Sequence, residues 1–271
     1  MIFAKDKGRM CNNILQYGHV YAWAREHGRR SVSMRFCYKY QYFKICHTPW
    51  HYFLTYLVAK YGAKWGLIPT VAFHDQEEDM ATKEQWMLRH KTFVVEGWYV
   101  RFYDLFTKYK QEIIDLFTFD SDITAKTEDF MGPKADGCVR LGVHIRRGDY
   151  KTWLGGRYYY DDCVYIDYIR QFKSLFTDRQ VTVYICSNDP QLDHKAYTSQ
   201  LKDMDVVFPA GGQADDLCLL SRCDYLIGAP STFSLVASMY RDIPLCWMEE
   251  AHTSLSRASF KPFDVLFRNI K

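Results

Sequence analysis

The chain has 271 residues, 48% hydrophobic and 25% charged, which suits one large domain or two of ordinary size and excludes a disordered chain. The formal net charge of +3 is too mild for a nucleic-acid-binding face, which concentrates its basic residues. From the N-terminus, residues 2–4 read as a short strand, followed by a loop with Gly8 and a helix over about 12–27. In that helix Leu15, Val20, Tyr21, Trp23 and Ala24 fall largely at helical spacing, and Gly28 suits its C-cap. Residues 31–36 read as a second strand, so the chain opens as a βαβ unit.

Residues 36–61 are crowded with aromatics and contain Pro49; they read as a loop and then a helix from about His51. Strands are expected at 67–73 and 92–95, with an acidic loop at 75–79 between them. An amphipathic helix is expected over 101–117, with Leu105, Tyr109, Ile113 and Leu116 on one face. The turn-rich stretch Met131-Gly132-Pro133-Lys134-Ala135-Asp136-Gly137 marks a domain boundary. Beyond it strands and helices alternate. Strands are expected at 139–145, 181–186, 205–208, 225–227 and 244–248, and helices at 162–176, 190–200, 216–222 and 232–240. That alternation predicts a Rossmann-like parallel sheet, and two such halves would face each other across a cleft.

No run approaches the ~18 apolar residues of a spanning helix, and the opening Met1-Ile2-Phe3-Ala4-Lys5-Asp6-Lys7-Gly8 becomes charged too soon for a signal peptide or anchor. The nine cysteines are odd in number, form no CxxC, and several lie in apolar runs such as Val183-Tyr184-Ile185-Cys186. This is the pattern of reduced, buried thiols in a soluble cytoplasmic protein, with peripheral contact to a membrane surface left open. No metal is expected: the histidines lack ligand spacing, and Asp203/Asp205 and Glu77/Glu78/Asp79 read as solvated charge clusters.

The run Val139-Arg140-Leu141-Gly142-Val143-His144-Ile145-Arg146-Arg147-Gly148-Asp149-Tyr150 is an apolar strand ending abruptly in charge. Ligands bind at the carboxyl edge of open α/β sheets. Two guanidiniums there suit a phosphate or pyrophosphate; the competing reading is an Arg–Asp pair that shapes a turn. Other strands end in Ser187-Asn188-Asp189-Pro190 and in Gly228-Ala229-Pro230-Ser231-Thr232-Phe233-Ser234. The latter feeds a helix whose hydroxyls and free N–H groups either hold a phosphate or simply cap the helix. Asp215-Asp216 opens the helix before it, as an N-cap or as a carboxylate for a guanine edge. Gly8-Arg9-Met10-Cys11-Asn12-Asn13 follows the first strand, and its asparagines cap the helix or reach a ligand. No GxGxxG follows a strand, and neither GxxxxGK[ST] nor GxSxG occurs.

Together these motifs resemble the α-1,2-fucosyltransferase family, within the superfamily that includes α-1,6- and protein O-fucosyltransferases. Val143-His144-Ile145-Arg146-Arg147-Gly148-Asp149-Tyr150 matches the HxRRGDY signature. The opening loop with Gln16-Tyr17, the segment Tyr184-Ile185-Cys186-Ser187-Asn188-Asp189, and the stretch from Asp216 to Ser234 resemble its other blocks, in order and over most of the chain. The resemblance implies an α/β protein of two Rossmann-like domains (GT-B-like), with an acceptor-side domain over 1–132 and a GDP-sugar-binding domain over 133–271. It implies a metal-independent, inverting transfer of L-fucose from GDP-fucose to a glycan hydroxyl, galactose O2, in carbohydrate biosynthesis, with no cofactor beyond the donor. Arg146 would bind the β-phosphate and His144 would line the nucleotide pocket. Asp216 would read guanine; Ser231, Thr232 and Phe233 would hold phosphate or base; Arg9 and Asn12 would face the pyrophosphate and acceptor. Arg147, Ser187 and Asp189 join the expected donor site. Asp149 is the nearest candidate base, with bracing of Arg147 or the turn as its competing role. The chain departs from the family at Met10-Cys11-Asn12-Asn13, at Pro230 and at Leu235-Val236, positions that bear on acceptor and linkage more than on donor. Two alternatives stay open: a different nucleotide-sugar donor, and a catalytically silent nucleotide- or glycan-binding protein.

Overall fold

The computed structural model describes residues 1–76 and 79–270. Glu77 and Glu78, two of the acidic cluster expected in that loop, lie outside the described residues. The chain forms two compact units, Met1–Asp120 and Ser121–Lys271.

In the first unit four parallel strands, β1 (Ile2–Lys5), β2 (Ser31–Ser33), β3 (Thr70–Ala72) and β4 (Phe93–Glu96), form a sheet of order β2-β1-β4-β3. Between β1 and β2 runs α1 (Met10–Glu26), buried nearly all round. A helix enclosed in this way must satisfy its polar side chains internally. His19 Nδ1 therefore accepts from the Phe102 backbone N–H, and Trp23 Nε1 donates to Glu84. The expected strand at 31–36 stops at Ser33, where the chain turns. The helix after the aromatic loop is α2 (Phe53–Lys64).

Helix α3 (Met80–Arg89) has no counterpart among the sequence expectations; it is N-capped by Asp79, whose carboxylate accepts from the Ala81 and Thr82 N–H groups. The single helix expected over 101–117 is two, α4 (Tyr103–Lys108) and α5 (Lys110–Leu116). Tyr109 leaves helical geometry between them, and its hydroxyl joins Lys108 on the Glu26 carboxylate.

The second unit begins with α6 (Ser121–Met131), so the divide falls before that helix and the turn-rich stretch 131–137 follows it. Its sheet has five parallel strands: β5 (Val139–Ile145), β6 (Val181–Ser187), β7 (Asp205–Val207), β8 (Tyr225–Gly228) and β9 (Leu245–Trp247). The order is β7-β6-β5-β8-β9. The helices are α7 (Asp162–Ser174), α8 (His194–Gln200), α9 (Gln213–Leu220), α10 (Thr232–Met239) and α11 (Phe263–Phe267). Helix α8 starts at His194, four residues after Pro190, behind the N-cap Asp193; Asp189 and Gln191 close a turn first.

Strand β5 is central and buried on both faces, and Leu141, Val143 and Ile145 are fully enclosed, as a strand inside a parallel sheet requires. From β5 the chain winds to β6 and β7 on one side, then crosses to β8 and β9 on the other. The reversal beside β5 creates a crevice at the carboxyl ends of β5 and β8, the usual ligand position in such sheets. Leu235 and Val236 are fully buried in α10 and pack the helix onto this sheet. No helix among the described residues is long and apolar enough to cross a membrane. Eight of the cysteines are buried thiols and Cys163 is exposed; none is in a disulfide.

Candidate active site

Strand register places the motifs of the second unit at one edge. His144 pairs with Cys186 on β6 and with Gly228 on β8, so the residues that follow each strand emerge side by side. His144, Arg146, Arg147, Ser187, Asp189, Ser231, Thr232 and Phe233 all lie on or just beyond these strand ends. Arg9 and Asn12 belong to the first unit, at the carboxyl end of β1: Arg9 is the exposed N-cap residue of α1, and Asn12 is half-buried in its first turn. The neighbouring Asn13 does the local bracing. It is fully buried and donates to the Gly8 and Arg9 carbonyls, while Gln16 holds both backbone polar groups of Lys7.

The two arginines of the doublet have different environments. Arg147 is locked: Nη2 donates to Asp162 at 2.5 Å, Nη1 to Asp189 at 3.0 Å, and its backbone N–H to Asn188 Oδ1 at 2.8 Å. All three charged side chains of this clamp are largely buried, between 10% and 25% exposed. Asp162 also accepts from the Tyr197 hydroxyl, so this carboxylate ties β5, α7 and α8 together. Arg147 and Asp189 were both expected on the donor; the geometry instead commits their charges to one another.

Arg146 is 11% exposed and donates to Asp149 at 2.5 Å, and its guanidinium lies 5.3 Å from the centre of the Tyr150 ring. The Asp149 side chain is 51% exposed. Water screens such a partner, so the pair is weak and a phosphate can take its place. The bracing role considered for Asp149 thus acts on Arg146 rather than Arg147. Gly148, at φ +69°, makes the sharp reversal that brings Asp149 back onto Arg146, a conformation other residues adopt only with strain. The Tyr150 hydroxyl donates to the Pro230 carbonyl at 2.6 Å and pins this turn to the loop after β8.

His144 is buried and stacks on Phe233, ring centres 4.7 Å apart, with Nδ1 left without a partner. Burial, with Arg146 nearby, pushes its pKa down to about 3. The imidazole is therefore neutral at working pH, available for a hydrogen bond and not for a charge. Ser231 is the N-cap of α10: its Oγ accepts from the Phe233 N–H. Thr232 and Phe233 form the first turn, half-exposed at the same edge. The Ser187 Oγ accepts from the Asp189 N–H.

Between the two aspartates of α9 the structure distinguishes clearly. Asp215 closes the helix start by accepting from the Gly212 N–H and pairs with Lys126. Asp216 keeps a buried Oδ1 without a partner, and burial, with Asp215 beside it, raises its pKa to about 7. A buried acceptor with no internal use, next to Cys186 at the end of β6, is the kind of group a ligand completes. Among the described residues no group of three or more His, Cys, Asp or Glu could hold a metal ion. Sequence reasoning assigned no role to Asp162 or Asn188, which come from other elements and carry no local signal.

A two-unit α/β fold with a charged edge at the reversal of strand order suits a glycosyltransferase of GT-B-like type. The model of glycosyl transferase family 11 matches residues 74–241, more than half of the chain, and the chain belongs to that family. Galactoside 2-alpha-L-fucosyltransferase Sec1 of Mus musculus is 23% identical over 267 residues, covering 88% of this chain and 64% of that protein. The chain therefore spans less than two thirds of that relative's length. Among solved structures, a mutant of Arabidopsis thaliana FUT1 in complex with GDP superposes with a TM-score of 0.65 at 12% identity, over 96% of this chain and 73% of that one. The α-1,6-fucosyltransferase NodZ co-crystallised with GDP gives 0.58 at 15% identity, over 91% and 94%. Protein POFUT1 in complex with GDP-fucose gives 0.53 at 13%, over 91% and 96%. At these identities the structural likeness establishes the shared GT-B-like fold.

Proposed function

We propose that the chain transfers L-fucose from GDP-fucose to a glycan hydroxyl, galactose O2, with inversion at the anomeric carbon. The observation that carries this reading is Arg146: a guanidinium at the strand-order reversal, held by a carboxylate that is half in water. As the C1–O bond to GDP breaks, negative charge grows on the β-phosphate and the sugar becomes oxocarbenium-like. Arg146 exchanges Asp149 for the β-phosphate and neutralises that charge where it develops. With that charge met by a side chain, the reaction so written calls for no metal. Asp149, released, takes the acceptor hydroxyl proton as GDP departs.

In this reading the unit Ser121–Lys271 carries the donor site, and Arg9 and Asn12 of the first unit serve the acceptor. Asp216 takes the N1–H and N2–H of guanine, and His144 and Phe233 line the nucleotide. Ser231 and Thr232 offer hydroxyls to phosphate or base, and Ser187 borders them. Arg147 and Asp189 act behind the site, fixing the strand end from which Arg146 projects. The relative named as a galactoside 2-alpha-L-fucosyltransferase and the GDP and GDP-fucose complexes of the structural neighbours support the same donor and acceptor.

Two measurements test the donor assignment. In a thermal-shift panel GDP raises the melting temperature, whereas UDP and CDP at equal concentration leave it unchanged; stabilisation by UDP alone would assign another donor. The second is pH. Guanine pairs with the Asp216 carboxylate, not the acid, so below its pKa of about 7 a proton must leave on binding. GDP affinity is expected to rise up to about tenfold per pH unit towards neutrality and then level off. Isothermal titration of Asp216→Asn should be weaker and lack this component. The variant also removes from the comparison the titration of GDP's own terminal phosphate, which falls near ~6 as in other phosphomonoesters. Identical pH profiles for both proteins would remove Asp216 from the base site.

A further inference from the structure

Helix α2 is built inside out. Its inner face, packed on Phe3, Val32 and Val94, is made mainly of small residues, Ala59 and Gly62 buried and Ala63 partly so, with Tyr56 half-buried beside them. Most of its other large apolar residues point outward. Leu54, Val58, Tyr61 and Trp65 recur at spacings of four, three and four, which is one helix face. Leu54 is 71% exposed and Trp65 67%, and Leu67 just beyond is 76% exposed. A helix on a water-facing surface normally shows the opposite arrangement, and contiguous apolar exposure of this kind marks a contact surface.

The charge along this stretch of the chain has one sign. From residue 27 to residue 74 the chain contains no Asp or Glu but seven Lys and Arg. Three are used internally: Arg29 caps carbonyls at the end of α3, Arg35 donates to the Asp6 carbonyl and the Tyr38 hydroxyl, and Lys44 pairs with Asp115. Lys60 and Lys64 are exposed on α2 itself, and the Lys60 ammonium lies 5.5 Å from the Tyr61 ring. Aliphatic and indole side chains on the ridge, tyrosines beside them and lysines at the flank match the order of chemistry met on entering a bilayer from water.

We propose that the outward face of α2 docks onto an anionic lipid surface, with Leu54, Val58 and Trp65 among the acyl chains and Lys60 and Lys64 at the headgroups. A second copy of this chain fits the face less well, because a two-fold contact would set one basic surface against another. The proposal is independent of the reaction at Arg146.

The test is vesicle flotation of the whole protein. It should float with vesicles of one part phosphatidylglycerol to three parts phosphatidylcholine, stay behind with phosphatidylcholine alone, and release as salt is raised. Leu54→Gln/Trp65→Gln and Lys60→Glu/Lys64→Glu should each cut the floated fraction at least about tenfold. Both pairs are exposed, so melting temperature and fucose transfer to a soluble acceptor should match the unaltered protein. Absence of flotation by the unaltered protein, or flotation of both variants at its level, overturns the proposal. So does a dimer in lipid-free buffer that Leu54→Gln/Trp65→Gln converts to monomer, since the face would then belong to a second copy.

Discussion

Arg146→Ala is expected to lower kcat for fucose transfer at least about a hundredfold, the effect of removing one charged donor worth on the order of 3 kcal/mol from a developing anion. The fold should survive, because the partner left behind, Asp149, is half in water and rehydrates. Arg146→Lys keeps the charge but loses the planar fork that grips two phosphate oxygens, so its activity should fall between the two. Turnover from labelled GDP-fucose, read beside a circular-dichroism melt, checks both statements. Normal turnover by a folded Arg146→Ala protein would refute the proposed chemistry.

Arg147→Ala should act on the fold instead. It leaves Asp162 and Asp189 facing one another without their cation, at sites only 25% and 20% exposed. Breaking a pair buried to this degree costs on the order of 3 kcal/mol, or roughly 5–10 °C in melting temperature. Adding Asp162→Asn to Arg147→Ala should recover part of that loss, since one of the stranded charges is gone; a double-mutant cycle measures the coupling. If Arg147→Ala melts normally but raises KM for GDP-fucose tenfold or more, Arg147 contacts the donor and the clamp is secondary.

The doublet also illustrates what the sequence can and cannot convey. The strand ending at Ile145 was legible to the residue, because its apolar residues Val139, Leu141, Val143 and Ile145 recur at every second position and the charged Arg146-Arg147 pair follows at once. The convergence of Arg146, Ser187 and Ser231 at one edge followed from parallel topology. Which arginine is held and which is releasable did not: the carboxylates that lock Arg147 come from 15 and 42 positions away. Asp215 and Asp216 are adjacent and chemically alike, and only the hydrogen bond to Gly212 and the pair with Lys126 assign the first to capping. Ser231 both caps α10 and stands at the expected phosphate position, so the two readings of that loop are compatible. In the first unit the misreadings fall where tertiary contacts override pattern. Helix α3 is only half apolar and declares itself through the Asp79 cap, and α4 and α5 part at Tyr109, whose hydroxyl is drawn to Glu26. The face of α2 was missed for the opposite reason: its apolar spacing is helical, but spacing does not say which side of a helix faces water.

The most direct test is a crystal structure of the complex with GDP. In that complex the Arg146 guanidinium should lie within about 3 Å of the β-phosphate oxygens, its bond to Asp149 broken, with Arg147 still clamped between Asp162 and Asp189. A nucleotide bound elsewhere, with the Arg146–Asp149 pair intact, would contradict the donor role of Arg146.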